Sequence, residues 1–354
     1  MRRILLDNIS SGMKLAKPLY NADGMVLLNA GIELQERFIN RLKELDVSYI
    51  YVEDDLTQDI DIPDVIGERT RVEAVSNAKK IMEQIRLGRG VDATQAKKVT
   101  NTLVDELCRN KGVMANFSDM RTRNDYLFAH SVNVCVLSVM TGISLGFDEL
   151  RLQDLGVGAL LHDVGKTEVN PEVLNKAGRL TQEESDEIKK HPVLGFNILR
   201  ANPDISLISA HCAFQHHERF DGTGYPRGLK EDEIHQYAQI VAIADVYDAL
   251  TSDATYRRAM PVYEAVAIIT KAGGTYFSNE LVKVFVDNIA VYPIGSVVRL
   301  NNNQIGVVVD ISREAKSKPV IRILFDENKR HVDKLIELDL SKNSRLYIAD
   351  VVER

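Results

Sequence analysis

The sequence predicts a multidomain, mainly α protein, in which an all-α body is flanked by a small N-terminal α/β module and a small C-terminal β domain. Apolar residues recur at helical spacing through the middle of the chain, whereas both ends carry short β-branched runs separated by turn residues. The 354 residues, with 45% hydrophobic and 27% charged residues, are enough for two or three domains that each bury a core.

The N-terminal module is predicted over residues 1–60. Short β-like runs at 26–28 and 49–52 alternate with turn signals, and one helical stretch covers 35–45. The acidic stretch 53–64 shows no periodicity, so we expect it to be a linker. Nothing in the module suggests catalysis, and we expect a regulatory or docking role.

Two helices are predicted within residues 61–114, on either side of a break at Gly88-Arg89-Gly90. The pattern continues in longer form over 115–290, where Thr181 and Glu184 are spaced as a capping box that opens the helix leading to His191. After Pro293, β-branched runs separated by Asn, Gly and Lys/Pro turns predict a β domain over 291–354.

Composition excludes some classes of partner. The net charge of −7 and the pI near 5.7 argue against broad binding to DNA or RNA. No apolar run approaches the roughly 20 residues that cross a bilayer, so we expect no membrane insertion. The three cysteines lie far apart in apolar helical settings and are expected to be core residues of a cytoplasmic protein.

Histidines are concentrated in the helical body, where six of the eight fall between residues 130 and 217. Asp163 follows His162 directly, and Asp245 interrupts an apolar helical stretch, where an unpaired carboxylate would be costly to bury. Imidazole and carboxylate together suit Mn, Fe or Zn, and the set exceeds what one ion needs. A carboxylate such as Asp163 can bridge two ions about 3.5–4 Å apart, as in two-metal hydrolases that act on phosphate esters.

These residues carry a resemblance to a known family. His130, His162-Asp163 and Asp245 resemble the H…HD…D set of the HD phosphohydrolase superfamily, and residues 162–166 resemble its HDxGK segment. Residues 216–226 are similar to the HHExxDGxGYP signature of the HD-GYP branch. The resemblance covers about half of the chain and implies an HD-type helical bundle that hydrolyses cyclic di-GMP to pGpG, GMP or both.

The resemblance also implies a metal centre with two divalent ions, Fe or Mn, in two subsites that share Asp163. The first subsite would consist of His130, His162, Asp163 and Asp245. The second would consist of His191, His216, His217 and Asp163. Two such ions lower the pKa of bound water, so that no Ser or Cys nucleophile is needed.

Further residues are implied on the substrate side. Asp163 and Lys166 are the expected catalytic residues, with the Lys166 ammonium directed at a non-bridging phosphate oxygen. The residues expected to contact substrate are Lys166, Gly222, Gly224, Tyr225, Pro226, Asp248 and Arg257. The two glycines are expected to supply positive φ and Pro226 to stiffen the loop. Asp248 is expected to face the substrate one turn after Asp245.

Two positions depart from the family pattern. Ala254 stands where many members carry an arginine, so we expect altered binding strength or selectivity. Tyr126 stands where three-metal members carry a glutamate, which favours two metals.

Several alternatives stay open at this stage. The substrate could be another cyclic dinucleotide, such as cyclic GMP-AMP, or the chain could be a non-catalytic receptor for a dinucleotide or for a diguanylate cyclase (GGDEF) domain. A homodimer is also compatible with the sequence. Glu218 could either orient a ligand imidazole or be solvated, and His211 is expected to be packed or to support a ligand. The β domain lacks the paired arginines and the D/NxSxxG pattern of PilZ receptors.

Overall fold

The computed structural model describes all residues except 21–25, 46, 48, 54–56, 58, 61, 111, 116–125, 175, 177, 253–258, 333 and 353–354. Ala254 and Arg257 therefore lie outside the described residues, as does the side chain of Tyr126. The predicted fold class is confirmed: a helical body lies between a small N-terminal α/β unit and a C-terminal antiparallel sheet.

The N-terminal unit consists of two small sheets and one helix. Its elements are β1 (Arg2–Leu5), β2 (Lys14–Leu15), β3 (Leu19–Tyr20), β4 (Val26–Leu28), α1 (Glu36–Glu44) and β5 (Tyr49–Glu53). The strands pair antiparallel in the order β1-β5-β2, and β3 pairs with β4. Ile39 and Leu42 point from one face of α1 into the same apolar cluster as Ile4, Leu15 and Ile50 of the sheet, which is the amphipathic pattern expected of a surface helix.

The predicted pair of helices forms as α2 (Glu68–Arg86) and α3 (Ala93–Arg109). The break between them has a physical cause, because Gly88 and Gly90 both adopt positive φ and Asp92 caps α3 by accepting a hydrogen bond from the backbone of Gln95. Their apolar faces lie in the same core as the helices that follow. The pair is therefore packed into the helical body.

The rest of the helical body follows from residue 126 to residue 286. Its helices are α4 (Tyr126–Ser144), α5 (Glu149–Leu160), α6 (Pro171–Leu174), α7 (Gln182–Ile188), α8 (His191–Arg200), α9 (Leu207–Gln215), α10 (Gln236–Thr251), α11 (Val262–Lys271) and α12 (Asn279–Val286). The capping box at Thr181 and Glu184 is confirmed, because each side chain bonds the backbone N–H of the other. This cap fixes where α7 begins, nine residues before α8.

Helix α4 lies at the centre of this body. Within the described residues, its segment Leu127–Ser144 is the one helix long and apolar enough to cross a membrane, and 78% of it is buried inside the protein. Polar residues such as His130 and Asn133 interrupt this apolar run, so its length was not evident from the sequence. The burial is that of a core helix.

A 3-10 turn at residues 164–168 packs closely against α8. A Cβ atom at Gly165 would lie 2.0 Å from the carbonyl oxygen of His191 and 2.5 Å from the nitrogen of Gly195. Any larger residue at position 165 would separate the two backbones, so this glycine is needed for space. The contact holds Asp163, just before the turn, next to the start of α8.

The C-terminal domain is a five-stranded antiparallel sheet. Its strands are β6 (Val297–Leu300), β7 (Ile305–Asp310), β8 (Val320–Phe325), β9 (Glu337–Asp339) and β10 (Ile348–Val351). They pair in the order β10-β6-β7-β8-β9, with bulges on β7 and β10. The predicted β character of this end is thus confirmed.

The two ends of the chain meet in a seam, which we define by the ion pair of Asp59 with Arg322 and the apolar residues around it. Arg322 donates from both terminal nitrogens to the two carboxylate oxygens of Asp59, at 2.5 and 2.7 Å, and also to Glu337. Buried Ile60 and Ile62 lie in one apolar cluster, which comprises Tyr51, Ile60, Ile62, Val307 and Leu324. The segment expected to be a linker is therefore packed, in its described part, against the β domain.

Candidate metal centre

Three histidines are held in one tautomer by backbone carbonyls. The Nδ1 atoms of His162, His191 and His216 each lie 2.7–3.0 Å from the backbone carbonyl three residues earlier. A carbonyl only accepts, so Nδ1 carries the proton and donates it. Each Nε2 atom is left with a free lone pair, as in histidines that ligate a metal through Nε2.

The Nδ1 atom of His130 donates its proton to a carboxylate. Its Nδ1 lies 2.7 Å from Oδ2 of Asp248, whose Oδ1 accepts a 2.5 Å hydrogen bond from the amide of Asn133. Asp248 is only 2% exposed. Asp248 lies about 60° around α10 from Asp245. The expectation that it faces the substrate was wrong, because its two oxygens are bound to His130 and Asn133 in the interior. Asp245 faces the cluster, whereas Asp248 is buried against α4.

Asp163 lies between two sets of imidazoles. Its Oδ1 atom is 3.3 Å from Nε2 of His191 and 3.7 Å from Nε2 of His216. Its Oδ2 atom is 3.4 Å from Nε2 of His162 and 4.0 Å from Nε2 of His130. One carboxylate thus presents a separate oxygen to each set, which is the arrangement of a bridging ligand.

Asp245 completes the first of these sets. Its Oδ1 atom lies 3.1 Å from Nε2 of His130 and 3.9 Å from Nε2 of His162. Burial works to raise the pKa of Asp245, but the neighbouring imidazoles of His130 and His162 outweigh it and lower that pKa far below the usual value. The carboxylate is therefore ionised near neutral pH.

Two clusters of donor atoms result, each within 4.8 Å. One comprises Asp163, His191, His216 and His217, and the other comprises His130, His162 and Asp245. Two atoms in them, Nε2 of His162 and Oδ1 of Asp163, are buried without a hydrogen-bond partner among the described residues. Buried polar atoms normally have partners, and these two face the interior of the clusters. The donor set and its orphaned atoms therefore fit two metal ions.

The protonation of the second cluster supports the same interpretation. Burial lowers the pKa of His191 to about 3, and burial also lowers the pKa of His217 well below its usual value. The Nε2 atoms of His191 and His216 are only 3.2 Å apart. Because both rings bond a carbonyl through Nδ1, two lone pairs face each other there, an arrangement that a cation between them would relieve.

Lys166 brings a positive charge to the centre. Its ammonium lies 2.5 Å from Oδ2 of Asp163, and its side chain is 22% exposed. Burial works to lower the pKa of Lys166, but the carboxylates of Asp163 and Asp245 outweigh it and raise that pKa. The ammonium is charged at neutral pH and lies beside the donor clusters.

The loop at residues 222–226 packs against the second cluster. Gly222 adopts a φ of +81°, as expected, whereas Gly224 has no positive φ and is needed for space, because its Cβ would lie 2.5 Å from the Cα of Glu218. The Tyr225 ring stacks on His217, with centroids 4.8 Å apart and planes at 20°. Pro226 follows through a cis peptide bond. The loop thus covers one face of a predicted ligand.

Glu218 is a residue whose role the sequence left open. It is 3% exposed, and its two oxygens accept hydrogen bonds from the backbone N–H groups of Arg227, at 2.8 Å, and Leu229, at 3.0 Å. It therefore neither orients an imidazole nor is solvated. It holds the far end of the loop that carries Tyr225.

We expect Glu218→Gln to loosen this loop. The amide nitrogen of glutamine would face a backbone N–H, so one hydrogen bond is lost and a buried donor is left unpaired, at a cost of about 1–3 kcal/mol in the free energy of unfolding. Urea denaturation of the full chain measures this loss. Exposed Glu172 offers the matched control, Glu172→Gln, and equal stability of the two variants would contradict the role given to Glu218.

The structure brings all seven predicted ligands together, with Lys166 and Tyr225 beside them. His211 packs against Phe196, with ring centroids 5.2 Å apart, as one of its two expected roles required. The position of Arg257 stays a prediction, since it lies outside the described residues.

Two family models match the chain. Residues 117–281 match a model described as an HD domain, and residues 297–354 match one described as a KOW domain associated with HD domain. The first range holds all seven predicted ligands, and the second range is the five-stranded sheet.

Several curated proteins are similar to this chain. A cyclic di-GMP phosphodiesterase of Pseudomonas aeruginosa is 31% identical over 69% of this chain and 59% of its own length. A cyclic di-GMP phosphodiesterase of Thermotoga maritima is 38% identical over 49% of this chain and 46% of its own. A 3′3′-cGAMP-specific phosphodiesterase of Vibrio cholerae is 37% identical over 42% of this chain and 32% of its own length. The chain thus matches about half the length of the first two.

Proposed function

The chain belongs to the HD-GYP branch of the HD domain family, and from this premise we propose that it hydrolyses the 3′–5′ phosphodiester bonds of cyclic di-GMP in bacterial second-messenger signalling. The products are linear pGpG and, after a second cut, GMP. The observation that carries the proposal is the position of Asp163, with one carboxylate oxygen toward each of two sets of imidazoles. Two relatives named as cyclic di-GMP phosphodiesterases support the choice of substrate.

HD domains are metal-dependent, and the His and Asp clusters described above are able to bind metals. We assign His130, His162 and Asp245 to one ion, His191, His216 and His217 to a second, and Asp163 to both. This mixture of imidazole and carboxylate suits Fe or Mn. When bound, two such ions supply an activated water molecule and neutralise charge on the phosphate, which is the chemistry that hydrolysis of a phosphate ester needs.

The chain's own residues add charge and shape to this chemistry. Water adds to phosphorus, the bond from phosphorus to the 3′ oxygen breaks, and the leaving oxygen takes up a proton. The Lys166 ammonium lies where it can stabilise the negative charge that develops on the phosphate. Tyr225 shields His217 on one side and limits access of water there. Gly222, Gly224 and Pro226 shape the loop, and Arg257 is proposed as a contact to phosphate or base.

The deciding experiment combines metal analysis with product chromatography. The full chain is purified without oxygen, its Fe and Mn content is measured, and it is incubated with cyclic di-GMP and added Mn or Fe(II). About two ions per chain and conversion to pGpG or GMP are expected. Absence of bound metal together with absence of turnover under every metal would refute the proposal.

A second candidate keeps the reaction and changes the substrate to 3′3′-cyclic GMP-AMP. The similarity to a relative of that named specificity favours it, as does Ala254 in place of a family arginine. A panel of cyclic dinucleotides, compared by kcat/KM, separates the two candidates. Tight binding of a dinucleotide without turnover would instead indicate a receptor.

The proposal extends to partners and location. A GGDEF domain and a second copy of the chain are the proposed protein partners, and residues 1–60 and 291–354 are the proposed regulatory or docking units beside 61–114 and 115–290. The cytoplasm is the proposed compartment, because Cys135 and Cys212 are buried free thiols of a kind that a reducing environment preserves. Light scattering with and without a purified diguanylate cyclase tests both partners.

A further inference from the structure

A chain of hydrogen bonds links α2 to the first metal subsite. The guanidinium of Arg71, on α2, donates to Oδ1 of Asn133 at 3.0 Å. The amide of Asn133 donates to Oδ1 of Asp248 at 2.5 Å, and Oδ2 of Asp248 accepts from Nδ1 of His130 at 2.7 Å. His130 then presents Nε2 to Asp245 and Asp163.

The donors and acceptors along this chain of hydrogen bonds match one another. Asn133 carries an acceptor on one side and a donor on the other, so it can take a hydrogen bond from a cation and give one to a carboxylate. Its orientation follows from these partners, because the reverse orientation would place its NH₂ group against the guanidinium of Arg71. The chain therefore runs in one direction, from the guanidinium to the imidazole.

Burial makes these hydrogen bonds difficult to replace. Asn133 is fully buried and Asp248 is 2% exposed, so water does not substitute for either partner. A carboxylate that accepts from Nδ1 fixes the orientation of the ring and makes Nε2 of the same ring a stronger ligand.

Arg71 lies outside the segment that matches the HD domain model, which begins at residue 117. Helix α2 packs on α4 and on the turn that follows Asp163, and it directly follows the segment of the seam. We infer that Arg71 is a positioning residue, which sets the metal affinity of the subsite formed by His130, His162 and Asp245 by holding Asn133 and Asp248 against His130. This inference rests on the proposed two-metal centre.

The test compares Arg71→Met with Arg69→Met. Arg69 lies on the same helix, is exposed and pairs with Glu73, so its replacement removes the same charge without touching the chain of hydrogen bonds. Metal-free full chain is titrated with Mn²⁺, and free Mn²⁺ is counted by electron paramagnetic resonance. For Arg71→Met we expect one of two sites to weaken by about tenfold and the other to keep its Kd. Arg69→Met is expected to match the wild type.

Two further variants guard against a purely structural effect. Arg71→Lys keeps a cationic donor and is expected to restore most of the affinity. Asn133→Asp would set two carboxylates against each other and is expected to weaken the same site. Thermal melting of the metal-free variants shows whether they are folded.

The outcomes separate the inference from the proposed function. Wild-type affinity at both sites of Arg71→Met would overturn the inference alone, as would equal weakening of both sites together with a lowered melting temperature. A wild-type chain that binds no Mn²⁺ would overturn both the inference and the two-metal proposal.

Discussion

Replacing Asp163 by asparagine is expected to reduce kcat/KM for cyclic di-GMP by about 10³-fold or more. The ligands of a metal centre act as one catalytic unit, so the loss of a single ligand removes most of the activity of the whole set. Asparagine keeps one oxygen but loses the charge and the second acceptor, so it cannot serve both sets of imidazoles. We therefore also expect the metal content to fall from two ions to at most one. Mass spectrometry of the native protein and product chromatography measure the two effects.

Asp186→Asn is the matched control for this prediction. Asp186 lies on α7, its side chain is 57% exposed, and its contact to Lys189 is 3.9 Å, so its replacement changes the net charge equally at a solvated site. We expect wild-type turnover and metal content. Retention of two ions and of turnover in Asp163→Asn would contradict the bridging role.

Replacing Lys166 by methionine is expected to reduce kcat by about 10²–10³-fold, the loss seen when one group that stabilises transition-state charge is removed. Methionine fills a similar volume but leaves the charge on the phosphate unbalanced. Both ions should stay bound, because Lys166 is a cation and repels metal. The Asp163 and Lys166 variants are thus expected to differ in metal content although both are slow.

Lys271→Met provides the control for Lys166. Lys271 is exposed, at the end of α11, and its loss is expected to leave kcat within about twofold, as for most surface substitutions. Steady-state kinetics of the metal-loaded variants make the comparison. A Lys166→Met variant with wild-type kcat, or one that has lost a metal ion, would refute the assigned role.

The grouping of the candidate ligands and the fold class were predictable because each rests on a local signal. His162-Asp163 and the 216–226 run are contiguous motifs, and helical and β character follow from apolar spacing. The partners of Asp248 were not predictable, because the sequence shows its spacing from Asp245 along α10 but not that His130 and Asn133 of α4 bind its two oxygens. The role of Glu218 could not be predicted either, because its partners are backbone N–H groups. Every residue except proline carries such a group, so the sequence does not indicate which ones Glu218 binds.

Contacts between residues far apart in the sequence could not be predicted for a related reason. Ile60 and Ile62 offer only two alternating apolar residues in an acidic stretch, too few to predict an extended packed segment. Arg71 resembles any charged residue on a helix surface, and only the fold places it against Asn133. Local patterns thus identified the elements and the chemistry, whereas contacts across hundreds of residues required the tertiary structure.

The seam between the two ends of the chain affects folding during translation. Asp59 and Arg322 are 263 residues apart, so at about 5–20 residues per second the ribosome completes the second half of the seam on the order of 10 to 50 s after the first. During that interval Tyr51, Ile60 and Ile62 have no β domain to cover them. The nascent chain therefore presents an apolar surface to chaperones until residues 297–351 of the β domain emerge, and slowing translation within the β domain should raise the aggregated fraction.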